Sequence, residues 1–238
     1  MEKKFVLFSG FWATLLMVVI FIYSSLSGPP SAGSGFNLPR NFISGSNVLK
    51  GRIVVLDPGH GGPDPGTVGV GPTTESENVL AIAWELKKLL EKAGAEVIMT
   101  RQTDFTPERN AVFGGEDNGQ LAARVAKANR GGGQIYISLH NNWNDNQQVA
   151  GTTVYYYKAE DLALAEALQR GVVRQLNSVD LGVVLGNFYV LRNTRMPAAL
   201  VEVGFLSNPE EALLLSKPGY RLEAARGLFY GIVDYFQD

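Results

Sequence analysis

Ile53-Val54-Val55-Leu56-Asp57-Pro58-Gly59-His60 runs from a β-branched apolar stretch through a Pro-Gly break onto an imidazole. Four consecutive apolar residues stopped by a turn signal read as a strand buried on both faces, the kind that parallel sheets use. The chain repeats this build twice. Residues 134–139 lead into His140, and the apolar run 199–203 carries a carboxylate, Glu202, where another aliphatic residue would be expected. The chain contains only two histidines, and both stand where a strand hands over to a loop.

Working outward, short β-branched runs over 53–56, 96–100, 134–139, 152–157, 187–191 and 199–203 read as strands. Helical patterns over 76–92, 119–129, 161–176, 209–215 and 220–236 alternate with them. In the first, Val79, Ile82, Ala83, Leu86, Leu89 and Leu90 make one apolar stripe, and Gly94 ends it. The alternation predicts an α/β fold: a single domain with a mostly parallel central sheet of about six strands and helices on both faces. In such sheets ligands bind beyond the carboxyl ends of the strands, where His60, His140 and Glu202 all fall.

The N-terminus reads differently. After Met1-Glu2-Lys3-Lys4, residues 5–23 contain no charge, and a helix of that length spans roughly 28 Å, close to the apolar thickness of a bilayer. With no polar face and no clean cleavage site behind it, the segment is expected to be an uncleaved transmembrane anchor. Cleavage as a signal peptide, which would release a secreted domain, is the alternative. Lys3 and Lys4 place residues 1–4 in the cytoplasm and send the rest outside. Residues 24–50 hold seven Ser, four Gly and three Pro, the composition of a flexible tether; residues 51–238 are left as the catalytic domain.

Composition narrows the chemistry. There is no cysteine, which removes thiol nucleophiles, Cys-based metal sites and disulfide staples. Four of the 21 basic residues and one of the 23 acidic ones precede Gly51, leaving 17 and 22 in the domain. That mildly acidic balance argues against nucleic acid as a partner.

Two imidazoles at equivalent strand ends suggest a metal. A hydrolytic zinc takes three protein ligands from His and carboxylates and leaves a fourth position open. Glu75 is the expected third ligand, because the turn-rich 61–74 segment can fold back and bring it beside His60; its alternative role is that of a capping acid at a helix start. No HExxH motif is present. Glu202 either pairs with Arg101, Arg124 or Arg192, or works as a general base and then acid. Gly59-His60-Gly61-Gly62-Pro63-Asp64-Pro65-Gly66 is weakly consistent with a phosphate-cradling loop but lacks the P-loop ending. Asp57 reads as a turn residue or as one that orients a ligand.

These residues resemble the zinc-dependent N-acetylmuramoyl-L-alanine amidases, the Amidase_3 family. The resemblance lies in VLDPGHGGPDPG, the stretch opening at Glu75, MTR at Met99, LAARVAKAN around Arg124, YISLHNN, and VLRNTRMPAALVEVGFLSNPEEA, in order across 51–238. It implies a Zn2+ cofactor held by His60, Glu75 and His140, with Glu202 as the catalytic carboxylate. The implied reaction is hydrolysis of the amide between N-acetylmuramic acid and the L-alanine of the peptidoglycan stem peptide. The segment 105–118, the single anchor and the lack of wall-binding modules resemble the germination-specific (CwlD-type) members, which implies action on spore cortex. A general autolysin of the same family and a zinc exopeptidase on free peptides are the alternatives. An activating protein partner is left unidentified, and Arg192 or backbone amides are expected to steady the oxyanion.

Overall fold

One six-stranded sheet organises the chain, in the order β2-β1-β3-β6-β4-β5. The strands are β1 (Ile53–Pro58), β2 (Glu96–Met99), β3 (Ile135–Asn142), β4 (Thr152–Tyr156), β5 (Asp180–Leu185) and β6 (Ala198–Phe205). β1, β2, β3 and β6 run parallel, while β4 pairs antiparallel with β6 and parallel with β5. The computed structural model describes residues 48–71, 73–105 and 119–237. The expected membrane anchor, all of the tether before Val48 and residues 106–118 of the expected insertion lie outside them. No helix among the described residues is long and apolar enough to cross a membrane.

Among the described residues six α-helices flank the sheet: α1 (Glu75–Lys92), α2 (Gly119–Arg130), α3 (Leu162–Leu176), α4 (Tyr189–Asn193), α5 (Pro209–Leu215) and α6 (Pro218–Gln237). The boundaries of α1 and the start of α5 have visible local causes. Thr74 caps α1 by accepting from the Glu77 amide, and Gly94, at φ 91°, ends the turn that follows. Asn208 caps α5, whose first residue is Pro209. The buried apolar residues of α1 are Val79, Ile82, Ala83, Leu86 and Leu90 of the expected stripe, with its sixth member, Leu89, only partly buried. Leu49, assigned to the tether from sequence, is only 1% exposed and belongs to the core.

One expectation is corrected. Residues 187–191 do not form a strand; the edge strand is β5, and 189–193 make a short helix. Val190 and Leu191 are both buried in one cluster. A strand would turn adjacent side chains to opposite faces, whereas one helical turn keeps both on the core side.

Side-chain alternation divides the sheet into two faces. Val54, Leu56, Ile135, Ile137, Leu139, Ala199, Val201 and Val203 pack into the larger core with α1, α3, α5 and α6. Val55, Tyr136, Ala198 and Leu200 form the smaller core beneath α2 and α4. Along that second face each of three central strands turns polar towards its carboxyl end: Asp57 on β1, Ser138 then His140 on β3, Glu202 on β6. The register pairs Asp57 with Ser138 and His140 with Glu202. Period-two geometry therefore collects these side chains in one place.

α3 and α6 meet over Gly171, Gly227 and Gly231. A methyl at Gly231 would lie 2.6 Å from the Ala167 carbonyl oxygen and 2.8 Å from Leu168 Cα, whereas Gly219, in the first turn of α6, has open space around it. Gly231→Ala is predicted to destabilise the domain by about 1–3 kcal/mol through overpacking, outweighing its helix-propensity gain of about 1 kcal/mol. Gly219→Ala is predicted to be neutral or stabilising. Equal urea midpoints for the two variants would show that this helix contact is not close-packed.

Candidate metal centre

β1 delivers His60 through a tight turn. His60 adopts φ 59°, a left-handed conformation uncommon for a residue with a side chain. Two buried arginines hold the turn: Arg124 donates to the carbonyls of Pro58 (2.7 Å) and His60 (2.6 Å), and Arg101 to those of Pro58 (2.9 Å), Gly59 (2.7 Å) and Ser76 (2.9 Å). Arg124 is fixed in turn by Asp57 at 2.7 Å, whose carboxylate also accepts from Thr100 and Ser138. Burial raises the Asp57 pKa, but the Arg124 charge and these hydrogen bonds outweigh it and hold the group well below the usual carboxylate range. Asp57 is therefore a strand residue anchoring the turn through Arg124, and it touches neither imidazole in any hydrogen bond.

β3 delivers His140, whose ring lies 5.0 Å from that of His60, edge to face. The approach needs glycine at position 59, where a Cβ would sit 2.6 Å from His140 Nε2. α1 supplies Glu75. Its Oε1 accepts from His140 Nδ1 at 2.8 Å, the Asn141 amide at 3.0 Å and His60 Nε2 at 3.1 Å, while Oε2 accepts from the Thr67 amide at 2.9 Å. The side chain is 3% exposed. Capping of α1 falls to Thr74, so the carboxylate is free for the histidines. Burial pushes its pKa up, yet the two imidazoles pull it well below the ordinary value. For His60, burial opposes the charged form, but Glu75 and then Asp64 raise its pKa to about 9.

The structure thus brings together all three residues singled out as ligands. One nitrogen or oxygen from each of His60, Glu75 and His140 lies within 4.8 Å of the others. Bonds of about 2.0–2.2 Å to a single ion are within reach of such a set, and two imidazoles with a carboxylate suit zinc chemically. The residues present fit the implied metal.

Glu202 lines the same cavity of about 170 Å³ as His60, Asp64 and His140, with Leu121 and Phe188 among its apolar walls. Its Oε2 is buried with no hydrogen-bond partner among the described residues. None of the three arginines considered for it is available: Arg101 and Arg124 serve the turn, and the exposed Arg192 donates to Asn187 Oδ1 and lies over the Tyr189 ring, 5.9 Å from its centroid. Burial pushes the Glu202 carboxyl up to about 7, with His140 and His60 opposing and Glu75 adding to the rise.

Sequence reasoning missed Asp64, whose Oδ2 meets His60 Nδ1 at 2.8 Å. A carboxylate four residues after a candidate ligand, inside a glycine-rich turn, was the available signal. The phosphate-cradle reading of this loop fails because its amides are engaged: Gly66 with Asp64, Gly62 with Asp104 and Thr67 with Glu75.

Residues 54–234 match the family model N-acetylmuramoyl-L-alanine amidase (Amidase_3). The germination-specific N-acetylmuramoyl-L-alanine amidase of Bacillus subtilis (strain 168) is 39% identical over 195 residues, covering 80% of this chain and 82% of that protein. The CwlD amidase from Clostridioides difficile, solved in complex with the GerS lipoprotein, superposes with a TM-score of 0.73 at 28% identity, over 78% of this chain and 98% of that one. The catalytic domain of CwlV from Bacillus (Paenibacillus) polymyxa var. colistinus gives 0.71 at 31% identity, over 78% and 98%.

The buried Glu202 carboxyl makes stability of the metal-free protein pH-dependent. Its folded pKa of about 7 exceeds the ordinary 4.5, so the stability held by its proton is complete below pH 4.5 and lost as pH rises through 7. Glu202→Gln has no charge to bury. In chelator-treated protein, its stability relative to wild type is predicted to improve by on the order of 3 kcal/mol between pH 4.5 and pH 8, read from denaturant unfolding. A difference that does not move with pH would contradict it.

Proposed function

The chain belongs to the N-acetylmuramoyl-L-alanine amidase family, and from that membership we propose that it is a zinc-dependent hydrolase freeing stem peptides from the glycan of peptidoglycan. The observation that carries the reading is the convergence of His60, Glu75 and His140 beside an unpartnered Glu202 oxygen in one cavity. Likeness to the germination-specific amidase of B. subtilis supports spore-cortex peptidoglycan as the substrate form.

His60, Glu75 and His140 would hold the ion. Bound there, zinc would supply Lewis acidity towards the scissile carbonyl and the attacking water. Glu202 takes a proton from that water as it attacks and returns it to the departing alanine nitrogen. A carboxyl poised near neutrality suits both transfers. The apolar positions beside it, Leu121, Val190, Leu200 and Phe188, exclude water from one side of the reacting amide. Phe188 is itself packed edge to face on Tyr155, with ring centroids 5.1 Å apart.

Two further readings accompany this one. Residues 5–23 anchor the protein in the membrane with the hydrolase outside, a reading supported by the uncharged length of that segment. The complex of the CwlD amidase with the GerS lipoprotein supports a protein partner for this chain as well.

The purified protein is expected to bind one zinc per chain and to lose activity on chelation. Glu202→Ala should keep the metal and lose about 10²- to 10⁴-fold in rate. Mass spectrometry of digested cortex should show intact stem peptides with a free L-alanine amino terminus; release of single amino acids instead would mark an exopeptidase. For the anchor, protease added to intact protoplasts should degrade the catalytic domain, and a domain that stays protected would overturn that topology.

A further inference from the structure

We propose that Asp64 is a positioning residue for His60: its carboxylate sets the imidazole so that Nδ1 is engaged and Nε2 is presented towards Glu75 and His140. This rests on reading that cluster as a metal centre.

The two imidazoles share one packing device and differ in their polar contacts. His140 lies against the backbone of Gly59 and His60 against that of Gly66, each with no room for a Cβ between them. Among the described residues His140 is hydrogen-bonded through Nδ1 to Glu75, whereas His60 is engaged at both nitrogens, Nδ1 to Asp64 Oδ2 at 2.8 Å and Nε2 to Glu75 Oε1 at 3.1 Å. An incoming ion would displace the Glu75 contact. Asp64 is then the polar contact that still sets the direction of the ring.

Asp64 is built to hold still although 48% of its side chain is exposed. Its amide and carbonyl pair with those of Gly61, at 3.3 and 2.8 Å. Its Oδ1 accepts from the Gly66 amide at 3.0 Å, leaving Oδ2 for the imidazole. One residue on, Thr67 donates to Glu75 Oε2. The 61–67 loop therefore grips His60 at one end and Glu75 at the other. Gly66 passes between them: a Cβ there would lie 2.7 Å from both Glu75 Oε2 and His60 Cδ2. Asp64 sits on the ring nitrogen distal to Glu75 and is not one of the three clustered donors. A carboxylate on the far nitrogen of a ligating histidine fixes its tautomer and orientation.

The test uses the full chain and zinc itself. Zinc affinity is measured by competition with a chromophoric chelator for wild type, Asp64→Ala and Asp64→Asn, with folding checked by circular dichroism. Asp64→Ala should weaken zinc binding by about 10- to 100-fold while remaining folded. Asp64→Asn should lose less, because its amide oxygen still accepts from Nδ1–H. Imidazole ¹H–¹⁵N spectra of zinc-loaded wild type should show one protonated Nδ1 on His60, and Asp64→Ala should lose that single species. Wild-type zinc binding with an Asp64→Ala affinity within twofold of it overturns the positioning role alone. The same holds if Asp64→Ala loses kcat while keeping its zinc affinity, which would mark Asp64 as a catalytic group. A wild type that binds no zinc overturns the metal reading, and this proposal with it.

Discussion

The Glu75 carboxylate is the charge on which the working part of this molecule turns. It is buried at the first residue of α1 and accepts from both imidazoles and from the Asn141 and Thr67 amides. A lone carboxylate at that depth would be severely penalised. Here two strand ends and one loop supply its partners, so folding of the sheet and assembly of the site are the same event. Any shift of β1 against β3, or of α1 against either, separates the groups that make this burial tolerable.

A second buried charge supports the first. Asp57 and Arg124 form an ion pair at 2.7 Å beneath the site, and removing either partner from such a pair is far costlier than the pair is stabilising. The arrangement also has a use. Asp57 spends one contact on Arg124 and others on Thr100 and Ser138, which aligns the guanidinium with the carbonyls of Pro58 and His60. Arg101 completes the grip from the β2 side through Pro58 and Gly59. Strained backbone at a functional position persists only when its surroundings over-determine it. The left-handed turn at His60 is held in that way, by two guanidinium groups on three successive carbonyls.

The proposed mechanism asks for a proton carrier beside the metal site, and strand register is what brings Glu202 there. Glu202 lies opposite His140 in the parallel pairing of β3 and β6 and opposite Thr153 in the antiparallel pairing of β6 and β4. Its Oε2 is thereby buried without a hydrogen-bond partner among the described residues, while the residue as a whole is partly buried at the wall of the cavity. Its raised pKa follows from that burial rather than from a dedicated partner. The same face carries Leu200 two residues before it, so part of the apolar wall of the cavity and the Glu202 carboxyl arise from one alternation.

Much of this was legible in the linear chain. Period-two and period-3.6 patterns located five of the strands and the long helices, because buried elements must repeat their apolar residues at the spacing of their own geometry. Strand-end histidines and a carboxylate in an aliphatic run marked three members of the site, since neither placement suits a residue that merely packs. The short helix at Tyr189 and the true edge strand were not legible. β5 is mostly exposed, with only Gly182 and Val183 partly buried, and lacks the burial signature, while Val190 and Leu191 are claimed by a core that only a helical turn lets them share. Asp64 was hidden for a related reason: in a loop of turn formers an aspartate is ordinary until its neighbour across the turn is known.

The residue order by itself determined which side chains could do chemistry and that they would gather at the carboxyl edge of an α/β sheet. It left Glu202 with three candidate arginine partners and Glu75 with two roles. Tertiary structure decided both, because a guanidinium can be saturated only by groups the fold brings within about 3 Å. Arg101 and Arg124 are consumed by the carbonyls of Pro58, Gly59 and His60, 42 to 66 positions away, and Arg124 also by the Asp57 carboxylate, and Thr74 takes over the cap. What remains for Glu75 is the histidine pair, and what remains for Glu202 is the cavity.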